Sequence, residues 1–133
     1  MIKYMLDTNI IVYAINKSST NIINRMMQHK PEEICISAIT LAEIEYGINH
    51  SSRPDRNRMA FMMFLTGITV IPFDSQATYD YGLIRHDLQK RGELIGANDM
   101  LIAAQARAMG ITFVTHNTSE FSRVSNLKLE DWF

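Results

Sequence analysis

Four acidic residues and their neighbours carry the chemistry legible in this chain. Asp7 ends the apolar run IKYML, Glu43 lies in SAITLAEIEYG (37–47), Asp99 in IGANDMLIAAQA (95–106), and Glu120 in HNTSEF, three residues after Asn117. Carboxylates gathered at one place repel each other, so such a cluster implies a bound cation or raised pKa values. No cysteine pair accompanies them, and His29, His50, His86 and His116 show no ligand-like spacing. Oxygen-only donors select Mg²⁺ or Mn²⁺ over zinc. Magnesium is usually held by one or two carboxylates, several waters and a substrate phosphate, so the implied chemistry is phosphoryl transfer or phosphodiester hydrolysis.

Taken singly, each acid has a plainer reading. Asp7 and Asp99 suit helix N-termini, where Asp caps and complements the dipole. Glu43 and Glu120 suit solvated surfaces. Glu43 sits beside the apolar Leu41–Ile44–Ile48 stripe, whereas Glu45 lies about 200° round the helix and is the member expected to face solvent. The case therefore rests on four acids meeting.

The elements that would bring them together follow from periodicity and punctuation. Short apolar runs at 2–6, 33–37, 68–73, 111–115 and 127–132 read as strands. Helices are expected at about 9–15 (capped by Thr8 or Asn9), 19–29, 38–49 (capped by Ser37), 54–66 (opened by Pro54), 75–90 (capped by Asp74) and 98–109 (closed by Gly110). HNTSEF reads as a loop or a short helical turn. Strands alternating with helices predict an α/β fold with a mainly parallel sheet of four to five strands. In such sheets ligands bind beyond the carboxyl ends of the strands, which is where Asp7, Glu43, Asp99, Asn117 and Glu120 fall.

Composition sets the outer limits. The 133 residues suit one domain, 1–133, with 47% hydrophobic and 20% charged residues, typical of a globular protein. No apolar run reaches the roughly 18–20 residues of a membrane span, and the broken N-terminal run is a poor signal peptide, so the expected compartment is the cytoplasm. Cys35 is the single cysteine, which excludes an intrachain disulfide. Thirteen basic against fourteen acidic residues argue against a strongly basic nucleic-acid binder, unless a cation neutralises part of the acid count.

The blocks LDTNI (6–10), SAITLAEIEYG, IGANDMLIAAQA, VTHNTSEF (114–121) and the closing EDWF, taken in order, resemble the PIN-domain ribonucleases, and within them the VapC toxins of bacterial toxin–antitoxin pairs. The resemblance spans essentially the whole chain. It implies a three-layer α/β/α sandwich and an Mg²⁺- or Mn²⁺-dependent endoribonuclease that cuts RNA through metal-activated water and so inhibits translation. It implies as partners a VapB-type antitoxin, structured RNA with tRNA foremost, operator DNA reached only through the antitoxin, and a second copy in a homodimer. On this resemblance Asp7, Asp99 and Glu43 are metal-binding acids, Glu120 joins them as a catalytic acid, and Thr8, Asn9, Thr115 and Asn117 form a supporting polar shell. Asn117 stands where many members carry Asp, which weakens a second ion position.

Arg85, Lys90 and Arg91, and also Arg53, Arg56 and Arg58, are candidate phosphate contacts. Tyr79 and Tyr81 read as packing residues. The Met59–Met62–Met63 segment with Phe61 and Phe64 reads as core, or as an adaptable partner groove. Two competing readings remain: a PIN fold without catalysis, and a receiver-like Mg²⁺-binding module. The second lacks a suitable Lys after the fourth strand, and its phosphoacceptor candidate, Asp74, reads as a cap.

Overall fold

The computed structural model describes residues 1–133. Five short strands form one sheet: β1 (Tyr4–Leu6), β2 (Ile34–Ser37), β3 (Thr69–Ile71), β4 (Thr112–Val114) and β5 (Leu129–Glu130). Their order is β3-β2-β1-β4-β5, and every pairing is parallel. The chain builds outward from β1 to β3 on one side, then returns to lay β4 on the other flank of β1. That reversal opens a crevice between the carboxyl ends of β1 and β4.

Seven helices cover the two faces: α1 (Thr8–Ile15), α2 (Thr20–Met27), α3 (Ala38–His50), α4 (Pro54–Phe64), α5 (Ser75–Lys90), α6 (Ala97–Met109) and the single turn α7 (Thr118–Phe121). Period-2 alternation along the strands divides the core. Met5 and Phe113 face a cluster with Ile84 and Leu88 of α5 and Ile102 and Ala103 of α6. Leu6 and Val114 face a second cluster with Ile10, Ile22, Ile44, Phe61 and Trp132. Cys35 lies fully buried in the first cluster, and burial pushes its thiol up to about 12, leaving it inert.

Most helix boundaries follow the capping residues read from the sequence. Ser37 accepts a hydrogen bond from the Ile39 amide and Asp74 one from Ala77, while Gly110 closes α6 in the left-handed conformation. The first helix differs: Asp7, not Thr8 or Asn9, caps α1, its Oδ1 accepting from the Thr8 amide at 2.8 Å. The 3₁₀ turn Pro31–Glu33 before β2 had no signal beyond its proline. Gly67 leaves α4 at φ +80°. No helix is long and apolar enough to cross a membrane.

The Met-rich helix corrects the core reading. Phe61 is buried, but Met59, Met62 and Met63 are 62–71% exposed, because α4 is an outer helix with one inward stripe. Tyr79 is likewise 73% exposed on α5 and not a packing residue, whereas Tyr81 packs against the first cluster.

Candidate active site

The site begins with strand register. Leu6 of β1 pairs with Val114 of β4, so the next residues, Asp7 and Thr115, stand side by side as both strands end. The Asp7 amide continues the ladder to the Val114 carbonyl at 2.8 Å. Thr115, fully buried, donates from Oγ1 to Asp7 Oδ2 at 2.8 Å and accepts from the Asn117 amide at 3.0 Å. One oxygen of Asp7 thus caps α1 and the other meets Thr115, which joins the capping role and the site role in one side chain.

The remaining groups arrive from three helices. Glu43, on the second turn of α3, accepts from Thr8 Oγ1 at 2.8 Å. Asp99 enters from the first turn of α6. Glu120 on α7 accepts from the Gly96 amide at 3.2 Å and from the Asn117 side-chain amide, which fastens α7 to the start of α6. Asn9 accepts the His116 amide at 3.3 Å and holds the loop after β4. A cleft of about 350 Å³ is lined by Asp7, Thr8, Asn9, Glu43, Asp99 and Asn117, with Val12, Tyr13 and Phe121 as its apolar rim. Glu120 stands beside this wall, its charge acting on both Asp7 and Asp99.

The electrostatics are those of an uncompensated anionic pocket. Asp7 is only 6% exposed, and burial raises its pKa against the lowering effect of its Thr115 and Thr8 hydrogen bonds. Asp99 is pushed up to about 7 by burial first, then by the charges of Asp7 and Glu120, a hydrogen bond with Glu120, and the charge of Glu43. No cationic side chain lines the cleft. The donor set is all oxygen and strongly anionic, which fits a hard divalent cation. No three acid, histidine or cysteine side chains form a ready-made cage. Hydroxyl and amide donors already engage Glu43 and Glu120, so the arrangement suits an ion that keeps much of its own water.

None of the candidate phosphate-binding cations lines the cleft. Arg91 is spent on Asp87, Glu93 and the Arg123 carbonyl, and Arg85 donates to the Tyr81 hydroxyl. Lys90 is exposed at the end of α5, and Arg58 pairs with Glu45. Glu45 therefore lies away from the site, as its helical angle predicts. Sequence reasoning missed Tyr13, although it follows Asn9 by four residues and so shares its face of α1. His116, which lacks ligand-like spacing, has a ring that is exposed but pinned, with Nδ1 2.9 Å from Asp131 and its face stacked on Phe133.

Alongside the acids, Thr8 and Glu43 also border a second, apolar cleft between α1, α3 and α4, with Val12, Ile44, Ile48 and Phe61 in its wall.

Comparison with known proteins agrees with this geometry. The PIN domain family matches residues 4–127. "Ribonuclease VapC2" of Rickettsia felis is 44% identical over 130 residues, 97% of each chain. "tRNA(fMet)-specific endonuclease VapC" of Shigella flexneri is 39% identical over 132 residues, 99% of each chain. Among solved structures, VapBC2 of Rickettsia felis bound to a promoter DNA fragment superposes with a TM-score of 0.92 at 41% identity, covering both chains fully. DNA-bound VapBC of Salmonella typhimurium superposes at 0.94 with 36% identity, again over both full chains. With the fold, the acidic crevice and the full-length similarity in agreement, the chain belongs to the PIN-domain family, among its VapC ribonucleases.

Proposed function

We propose that this chain is the toxin of a VapBC-type toxin–antitoxin pair and a divalent-cation-dependent endoribonuclease. The observation that carries the reading is the crevice beyond β1 and β4, where burial and three neighbouring carboxylates push Asp99 up to about 7. Asp7, Asp99 and Glu43 would hold Mg²⁺ or Mn²⁺. Bound there, the cation supplies an activated water and a positive charge against the substrate phosphate.

The chain's own residues position the rest. Thr115 and the Thr8 amide fix both oxygens of Asp7, Thr8 Oγ1 orients Glu43, and Asn117 with the Gly96 amide holds Glu120. In-line attack by water, with the ribose 3′ oxygen as leaving group, would break the P–O3′ bond and leave 5′-phosphate and 3′-hydroxyl ends. No pair of histidines supports attack by the ribose 2′-oxygen.

tRNA is the substrate class best supported, through the relative named for tRNA(fMet), and its cleavage in the cytoplasm would inhibit translation. The antitoxin is the proposed occupant of the apolar cleft beside Glu43, from which a basic side chain could reach the acids. The chain would work as a homodimer within that complex and meet operator DNA only through the antitoxin.

Induction in cells followed by end-mapping of total RNA tests this reading. New 5′-phosphate ends in tRNA are expected with the intact chain and none with Asp7→Asn. In vitro, EDTA should stop cleavage and Mg²⁺ or Mn²⁺ restore it. Cleavage undiminished in EDTA, or 2′,3′-cyclic phosphate ends, would overturn the mechanism.

A further inference from the structure

Next to the acidic cleft the structure holds an aromatic array that is anchored by Tyr13 on the second core cluster and leaves Phe133 and His116 exposed. Tyr13 lines the cleft itself. Its ring meets Phe133 at 5.0 Å between centroids and His116 at 5.8 Å, both edge-on, while His116 stacks on Phe133 at 4.3 Å and 24°. The array is held in place: Asp131 stands 2.9 Å from the His116 ring nitrogen through one oxygen and accepts the Phe133 amide at 2.9 Å through the other. Yet Phe133 remains 44% exposed and His116 is exposed.

Phe133 borders a third cleft, of about 380 Å³, lined also by Asn21, Asn24 and Gln28. Their spacing of three and four residues sets three carboxamides along one face of α2, all exposed. Arg25, in the same wall, is engaged by Glu130 at 2.6 Å and lies over the Trp132 ring, and the Asn21 side-chain amide donates to the Phe133 carbonyl at 3.5 Å, so the groups left to meet a ligand are the Asn24 and Gln28 carboxamides and the Asn21 side-chain oxygen beside a fixed aromatic edge. Stacking faces with carboxamides are the means by which proteins read unpaired bases.

We propose that Phe133, with His116 and Tyr13, stacks an unpaired base flanking the scissile phosphate, and that Asn21, Asn24 and Gln28 read the edge of that base or of the next. This nucleobase subsite deepens the ribonuclease reading above and rests on it. It would select the cleavage position, a task that the acids cannot perform because every phosphodiester presents them with the same chemistry. Phe133 is here a positioning and specificity residue, and takes no part in bond breaking.

The test uses the full chain and an RNA hairpin that the wild type cuts at one position. Base–aromatic stacking predicts that Phe133→Leu raises KM about tenfold or more with kcat little changed, and that Phe133→Tyr restores the wild-type value. Asn24→Ala and Gln28→Ala, both on an exposed helix face, should leave the melting temperature unchanged and relax the choice of cleavage position. A hairpin with an abasic flanking nucleotide should be cut equally by wild type and Phe133→Leu. 2-Aminopurine at that nucleotide should be quenched by wild type and not by Phe133→Leu. If the wild type cuts RNA and these variants match it in KM, position and quenching, the subsite is refuted while the ribonuclease reading stands. Variants that keep RNA kinetics but lose inhibition by a co-expressed antitoxin would assign the surface to protein contact and also refute it. A wild-type chain that cuts no RNA overturns both readings.

Discussion

Removing one negative charge from the crevice should stabilise the metal-free protein, and the gain should depend on pH in a defined direction. Asp99 is pushed from 3.8 up to about 7 in the folded chain. Between those values the folded state holds a proton that the unfolded state has released. Stability contributed at this site is therefore full below about pH 4 and falls away as pH rises to about 7. Three units at about 1.36 kcal/mol each set a ceiling near 4 kcal/mol. Asp99 is only half-buried, and solvent screening brings this down to about 1–2 kcal/mol. Asn in place of Asp also forfeits some helix-dipole interaction at the first turn of α6, of order 0.3–1 kcal/mol. The net expectation for Asp99→Asn at pH 8 in EDTA is about 1 kcal/mol of added stability, or a melting temperature higher by about 3–5 °C. The difference should shrink toward zero near pH 4. Millimolar Mg²⁺ should stabilise the wild type more than the variant and so narrow or reverse the gap. Thermal melts by circular dichroism across this pH range, with and without Mg²⁺, decide the matter. A variant less stable than wild type at pH 8 in EDTA, or a gain unchanged with pH, would refute the repulsive pocket.

Thr115→Val removes a fully buried hydroxyl that donates to Asp7, so urea titration should show a loss of about 1–3 kcal/mol, while RNA cleavage should fall roughly 10- to 100-fold and Thr115→Ser should recover most of both. Gly67→Ala should cost more than about 1–2 kcal/mol without altering the cleavage site, because φ there is +80° and an added Cβ would lie 2.9 Å from Pro31 Cβ. Arg107→Ala should lower the melting temperature by several degrees. It frees the partly buried Asp80 carboxylate, now 2.7 Å from the Arg107 Nε, and removes a donor to the Ser125 carbonyl.

Much of this molecule was written locally. Helix starts at Ser37, Pro54 and Asp74, the stop at Gly110 and the five apolar strand runs depend on residues a few positions apart, so they were legible from the chain. So was the placement of the acids at the carboxyl edge of the sheet, after strands for Asp7 and Glu120 and near helix starts for Glu43 and Asp99, because helix–strand alternation leaves few parallel topologies open. Only the tertiary structure decided the rest. Asp7 became both the cap of α1 and a wall of the acidic cleft because β1 and β4 pair in a register that sets Thr115 beside it. Asp99 acquired its raised pKa from burial first and then from Asp7, Glu120 and Glu43, none of which spacing along the chain could supply. Met59 and Tyr79 turned outward because α4 and α5 each pack with one face only, and composition cannot say which face. Phe133 met Tyr13 across more than a hundred residues, and His116 from the loop after β4, because the last strand runs alongside β4. Local chemistry settles what each segment becomes; contacts between distant segments settle which side chains share a field, a cleft or a ligand.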